Sequence, residues 1–136
     1  MIPVCPKCDK AMFILDFRGA ETDYCEKCGG LWLDAGELEA LLESTGATGD
    51  DALLAALNTP GGTSPPGRQT ICPRCDRALH EITVPGADSL TLDQCPAGHG
   101  LFFDAEELRR LLAAFPEQLG THKTIEFLND MLDRGR

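Results

Sequence analysis

Seven cysteines and one histidine in this 136-residue chain stand at spacings that suit tetrahedral metal ions. Cys5 and Cys8, in CPKC, form one pair, and Cys25 and Cys28, in CEKC, form the next. Two residues between paired cysteines let one tight turn aim both sulfurs at a single ion, a geometry that suits zinc. A second set begins with Cys72 and Cys75, in CPRC, and continues at Cys95. Its fourth member is not a cysteine, because Gly98 stands where Cys28 stood. His99, one residue further on, is the natural replacement ligand. His80 is the rival, a few residues beyond the CPRC knuckle on a segment expected to leave it as a strand. On this count every cysteine is a ligand, two Zn2+ ions bind per chain, and no thiol is left for a disulfide or a nucleophile. Tetrahedral sulfur at the first set also suits iron.

The elements that must position these donors are written twice. CEKCGGLWLDAGELEALL, from Cys25 to Leu42, aligns without a gap with CPAGHGLFFDAEELRRLL, from Cys95 to Leu112. In both, glycines permit a sharp reversal after the metal turn and a short apolar run follows as a strand. Asp34 then stands before a helix with Glu37 three residues later, the pattern of a capping box, and Asp104 and Glu107 repeat it. Leu38, Leu41 and Leu42, like Leu108, Leu111 and Leu112, recur at helical spacing. Between the two knuckles of each copy the alternation of apolar residues predicts a hairpin, turning at Arg18 to Glu21 in the first and at Pro85 to Asp88 in the second. Each copy is therefore read as a three-stranded sheet followed by a capped helix.

A unit of about 45 residues buries too little to fold without help, and a structural zinc site contributes on the order of 10 kcal/mol. The expected class is small α+β, with a zinc ribbon and its helix over 1–46 and a short helix, ALLAALN, leading into a Pro/Gly linker over 47–69. A second ribbon and helix follow over 70–115, and a C-terminal helix over 116–136. The linker TPGGTSPPGRQ makes the ribbons mechanically separable in principle. The last helix, from about His122 to Leu132 with Thr121 as its cap, carries Ile125, Leu128 and Leu132 on one face, a stripe suited to docking on the second ribbon or on another copy of the chain. Trp32, replaced by Phe102 in the repeat, sits within an apolar run and is read as core, with stacking on a nucleic-acid base as the competing role.

The formal net charge is −10. With zinc-bound thiolates counted it becomes roughly −13. Such a surface repels phosphate backbones, although Lys7, Lys10, Arg18 and Lys27 make a local basic edge near the first knuckle. No charged start with an apolar signal core opens the chain, and no run approaches the roughly 18 apolar residues of a membrane span, so a cytoplasmic protein with no membrane partner is expected. Cysteines in CxxC pairs agree with a reducing compartment.

CPKC followed by CEKCGGLWLDAGEL resembles the prokaryotic zinc-ribbon family labelled transcription factor IIB-type, and CPRC with CPAGHGLFFDAEEL resembles a diverged member. The resemblance implies zinc binding at Cys5, Cys8, Cys25 and Cys28, and at Cys72, Cys75 and Cys95. Its label implies transcription, but a ribbon shape does not settle function. The expected role is a non-enzymatic zinc-binding adaptor or regulatory protein, monomeric or homodimeric, that engages a protein partner. The alternative is a nucleic-acid-binding transcriptional regulator. A zinc hydrolase or redox-sensitive zinc switch ranks below both: catalytic zinc keeps an open position, and Glu106 and Glu107 read as first-turn helix acids.

Overall fold

The structure is a computed structural model, and it describes residues 3–17, 20–44, 51–65, 67, 69–84 and 87–114. The expected C-terminal helix, the cap position at 50 and residues 18–19 and 85–86 of the expected hairpin turns lie outside the described residues; Ala20, Glu21, Ala87 and Asp88, expected in those turns, already belong to strands. In the first copy β1 (Phe13–Phe17), β2 (Ala20–Tyr24) and β3 (Leu31–Asp34) precede α1 (Glu37–Ser44). α2 (Asp51–Asn58) lies between the copies. The second copy repeats the plan with β4 (His80–Val84), β5 (Ala87–Gln94), β6 (Gly100–Phe103) and α3 (Ala105–Ala114).

The two ribbons are not separable units hung on a linker. Their strands form one antiparallel six-stranded sheet in the order β1-β2-β3-β6-β5-β4. The seam is β3 against β6, with Leu31 opposite Phe103, Trp32 opposite Phe102, Leu33 opposite Leu101 and Asp34 opposite Gly100. LWL and GLFF lack the polar alternation of a strand with one wet face, and both strands are buried accordingly. A pseudo-two-fold relation between the copies runs through this seam.

Side chains alternate across the sheet, so paired residues share a face. Ile14, Asp23, Trp32, Phe102, Asp93 and Glu81 form one row. The metal turns pack on that face, where Trp32 and Phe102 join Cys5, Cys25, Cys72 and Cys95 in one buried cluster. The opposite face carries Leu31, Leu33, Leu101 and Phe103 and receives the helices, α1 on β2 and β3 and α3 on β5 and β6. Two glycines let the ribbons approach. A side chain at Gly30 would run into the Phe102 ring, and one at Gly100 would meet the Leu33 carbonyl oxygen and the Trp32 ring.

The capping boxes differ between the copies. Asp104 and Glu107 make the reciprocal pair, Glu107 N–H to Asp104 Oδ1 at 2.7 Å and Asp104 N–H to Glu107 Oε1 at 3.0 Å. In the first copy Asp34 belongs to β3, α1 starts only at Glu37, and Glu37 instead accepts from the Glu21 N–H at 2.9 Å. The expected Asp34 cap is corrected for a physical reason: its carboxylate is engaged by Trp32 and Arg74.

Candidate metal centres

Each first knuckle is a backbone turn whose conformation makes room for two thiols. Cys5 N–H donates to Lys10 O at 2.8 Å and Asp9 N–H to Cys5 O at 3.1 Å, and Cys72 with Arg77 and Asp76 with Cys72 repeat the pattern at 2.8 and 3.0 Å. Asp9 and Asp76 close these turns at positive φ, 57° and 62°, a region that aspartate tolerates better than most residues. The second knuckles are anchored to the following glycines, Cys25 N–H to Gly30 O at 2.9 Å and Cys95 N–H to Gly100 O at 3.0 Å.

The folded chain brings Cys5, Cys8, Cys25 and Cys28 into one group and Cys72, Cys75, Cys95 and His99 into another, all donor atoms of each within 4.8 Å of one another. Cys5 and Cys28 sulfurs lie 3.8 Å apart and those of Cys75 and Cys95 3.6 Å apart. Zinc–sulfur bonds of about 2.3 Å in a tetrahedron place sulfurs about 3.8 Å apart, so both groups fit the ion. His99 Nδ1 lies 3.4 Å from Cys95 Sγ, a fitting separation for a nitrogen and a sulfur on one zinc. His80 is in neither group. It occupies the first position of β4 opposite Gln94, where the first copy has Phe13 opposite Tyr24.

The change of fourth ligand has a backbone cause. In the first copy Cys28 is followed by Gly29 at φ 74°, whereas in the second Gly98 takes the left-handed position, at φ 83°, one residue earlier. His99 then follows the glycine, and its longer side chain reaches back to the site.

Donor chemistry also calls for a cation. Burial pushes the Cys5 and Cys72 thiols up to about 11 and about 12, and raises Cys28 further. Cys95 is buried too, yet backbone and side-chain hydrogen bonds around it outweigh burial and bring it down to about 7. N–H groups of Gly30, Arg74 and Ala97 point at Cys28, Cys72 and Cys95 sulfurs at 3.3–3.4 Å. A divalent ion resolves the conflict by binding all of the thiolates at once.

A family model described as transcription factor zinc-finger, TFIIB-type zinc ribbon, matches residues 4–44 and 71–114. The chain belongs to this family. It carries two tandem copies of the ribbon, the first with four cysteine donors and the second with three cysteines and His99, and two zinc ions complete it. No curated protein and no solved structure matches the chain. No helix among the described residues is long and apolar enough to cross a membrane.

One residue of consequence escapes a motif search. Arg74, inside the CPRC knuckle, reaches across the seam to the first ribbon. Its Nε donates to Asp34 Oδ1 at 2.8 Å, and Nη2 donates to Asp34 Oδ2 at 2.7 Å and Asp23 Oδ2 at 2.6 Å. Burial pushes Asp34 up, but hydrogen bonds from Arg74 and Trp32 outweigh it and hold the carboxyl below its ordinary value. For Asp23 burial wins over the Arg74 charge, and the carboxyl sits above its ordinary value. Lys7 holds the equivalent place in the first knuckle, facing Asp93 and Glu107. Burial is the largest cause raising those two, to about 6 and about 7, and the Lys7 charge offsets it only in part.

Proposed function

We propose that this protein is a non-enzymatic, zinc-stabilised adaptor that engages another protein. The observation that carries the reading is the disposition of the groups a nucleic-acid binder would present. Trp32 and Phe102 are buried beneath the metal turns and cannot stack on a base, and the Arg74 guanidinium is neutralised by Asp23 and Asp34. What remains outside is an acidic surface with Ile14, 60 % exposed, on the metal face of an outer strand. Four donors per group leave a tetrahedral ion no open position for substrate, which weighs against hydrolysis.

The test is a pull-down with zinc-loaded protein, an Ile14→Asp variant and a cysteine-replaced unfolded control. The reading expects a partner retained by the native chain and lost with Ile14→Asp at unchanged zinc content. It fails if nothing is retained beyond the unfolded control. A second reading, single-stranded nucleic-acid binding, draws on Lys10 and Lys27, which share a surface depression with the exposed Phe13 ring. Fluorescence anisotropy at low salt decides it, and no binding at about 50 µM protein removes it.

A further inference from the structure

The two metal centres lie on one face of the sheet, and the contacts between them run through the seam. In the second centre Arg74 stands between the ligands Cys72 and Cys75, and its N–H points at Cys72 Sγ at 3.3 Å. The metal turn thus fixes its backbone, while its guanidinium forks onto Asp34 and reaches Asp23. The other half of the same centre also holds the first ribbon. His99, whose Nδ1 faces Cys95 Sγ, accepts with its carbonyl oxygen from the Ala35 N–H at 2.9 Å. Both turns of the second centre therefore grip one short stretch, Asp34-Ala35, where β3 ends.

That stretch leads back to the first centre. Asp34 Oδ1 accepts from the Trp32 Nε1–H at 2.8 Å, and Trp32 is buried in one cluster with Cys5 and Cys25. Asp23 stands two residues before Cys25, on the strand that enters the first ribbon's second knuckle. From the other direction the Phe102 ring packs over Gly30, whose N–H donates to Cys28 Sγ at 3.4 Å. A ribbon of about 45 residues does not fold unaided, so a half that lacks its metal has no ordered strand to hold against the seam. The β3–β6 pairing is then a shared element, closed or open, that metal at either centre biases toward closure.

We propose that the two centres bind zinc cooperatively, each raising the other's affinity through the seam, and that Arg74 carries most of the coupling. Linkage makes the effect equal in both directions. The physical grip is nevertheless one-sided, because Lys7, at the place of Arg74 in the first knuckle, offers a single ammonium and no fork. No partner enters this inference, so it stands or falls separately from the adaptor reading.

Zinc affinities are measured by competition with a chelator of known affinity on the full chain, on Cys75→Ser, which disables the second centre, and on Cys8→Ser, which disables the first. Each replaced cysteine is a half-buried ligand, which limits the disturbance to packing. The product of the two association constants in the native chain should exceed the product of the two single-centre constants by about 100-fold. With Arg74→Ala added to all three proteins that excess should fall about 30-fold, and Arg74→Lys should restore less than about half of the loss on a logarithmic scale. Any effect of Arg74→Ala on the second centre's own affinity appears in the Cys8→Ser background too, so the cycle removes it. Equal products in the native chain, or an excess that Arg74→Ala changes by less than about threefold, overturns the proposal. Cobalt(II) gives a second readout should a single-centre variant fail to fold. Four-sulfur and three-sulfur, one-nitrogen sites absorb differently when cobalt fills them, so each centre's occupancy is followed separately in the full chain carrying Arg74→Ala. The first centre's cobalt affinity should drop about tenfold or more, although Arg74 belongs to the second centre, and an unchanged first centre overturns the proposal.

Discussion

Replacing Arg74 with alanine should loosen the seam between the ribbons. The guanidinium binds Asp34 in a two-pronged contact and Asp23 in a third, and the Asp23 side chain is 6 % exposed. Its removal leaves a buried carboxylate facing a second one. Breaking a buried ion pair from one side costs about 3–5 kcal/mol. Arg74 and Asp34 are 32 % and 40 % exposed, so solvent screens part of the interaction and the expected loss is about 2–3 kcal/mol. The Asp34 share, with its carboxyl held low, is fully present at pH 7 and fades only as pH falls below the ordinary carboxylate value of about 3.9. Arg74→Lys keeps the charge but not the fork and should recover less than about half. Urea denaturation at fixed free zinc, followed by Trp32 fluorescence, measures the effect, because Trp32 lies in the seam with its Nε1–H on Asp34 at 2.8 Å. A loss under about 0.5 kcal/mol for Arg74→Ala would refute the claim that this contact ties the ribbons together.

Other perturbations test separate parts of the account. His99→Ala should lower the zinc content or affinity of the second site while His80→Ala leaves both unchanged; the reverse result would return His80 to the site. Glu107 is raised to about 7, by burial first and by the Asp104 and Asp93 charges, so the folded protein keeps that proton longer than the unfolded chain. Its contribution to stability therefore declines as pH rises from about 4.3 through about 7. Glu107→Gln, which retains an acceptor for the Asp104 N–H, should gain on the native protein between pH 6 and 8 by about 1 kcal/mol after screening. A variant less stable at pH 8 would contradict this. Gly100→Ala should cost about 2 kcal/mol or more in a thermal or urea melt, since its methyl would push β6 off the Leu33 carbonyl, and a neutral result would mean the seam is looser than described.

Much of the fold was legible because metal ligands tolerate little variation in spacing. The CxxC pairs, the duplicated metal-turn, strand and helix pattern and the Asp104–Glu107 box are local patterns, and the structure contains each of them. What was not legible depends on contacts between the copies. Nothing local says that β3 pairs with β6, although LWL and LFF, apolar at every position, carry the mark of strands covered on both faces. Asp34 and Asp104 look alike in sequence. They diverge because Arg74 reaches Asp34 across the seam, while Lys7, at the equivalent place, has no forked head. The exchange of Cys28-Gly29 for Gly98-His99 was readable as a new ligand, but its origin in a shifted left-handed turn needed the backbone.

The central claim is that two closed metal centres hold one continuous sheet. It is tested most directly by elemental analysis of protein purified without added zinc, together with a count of thiols reactive under native conditions. Two zinc ions per chain and few reactive thiols are predicted. One zinc ion per chain, with Cys72, Cys75 and Cys95 open to reagent, would contradict the account and make the second centre a labile or reactive site.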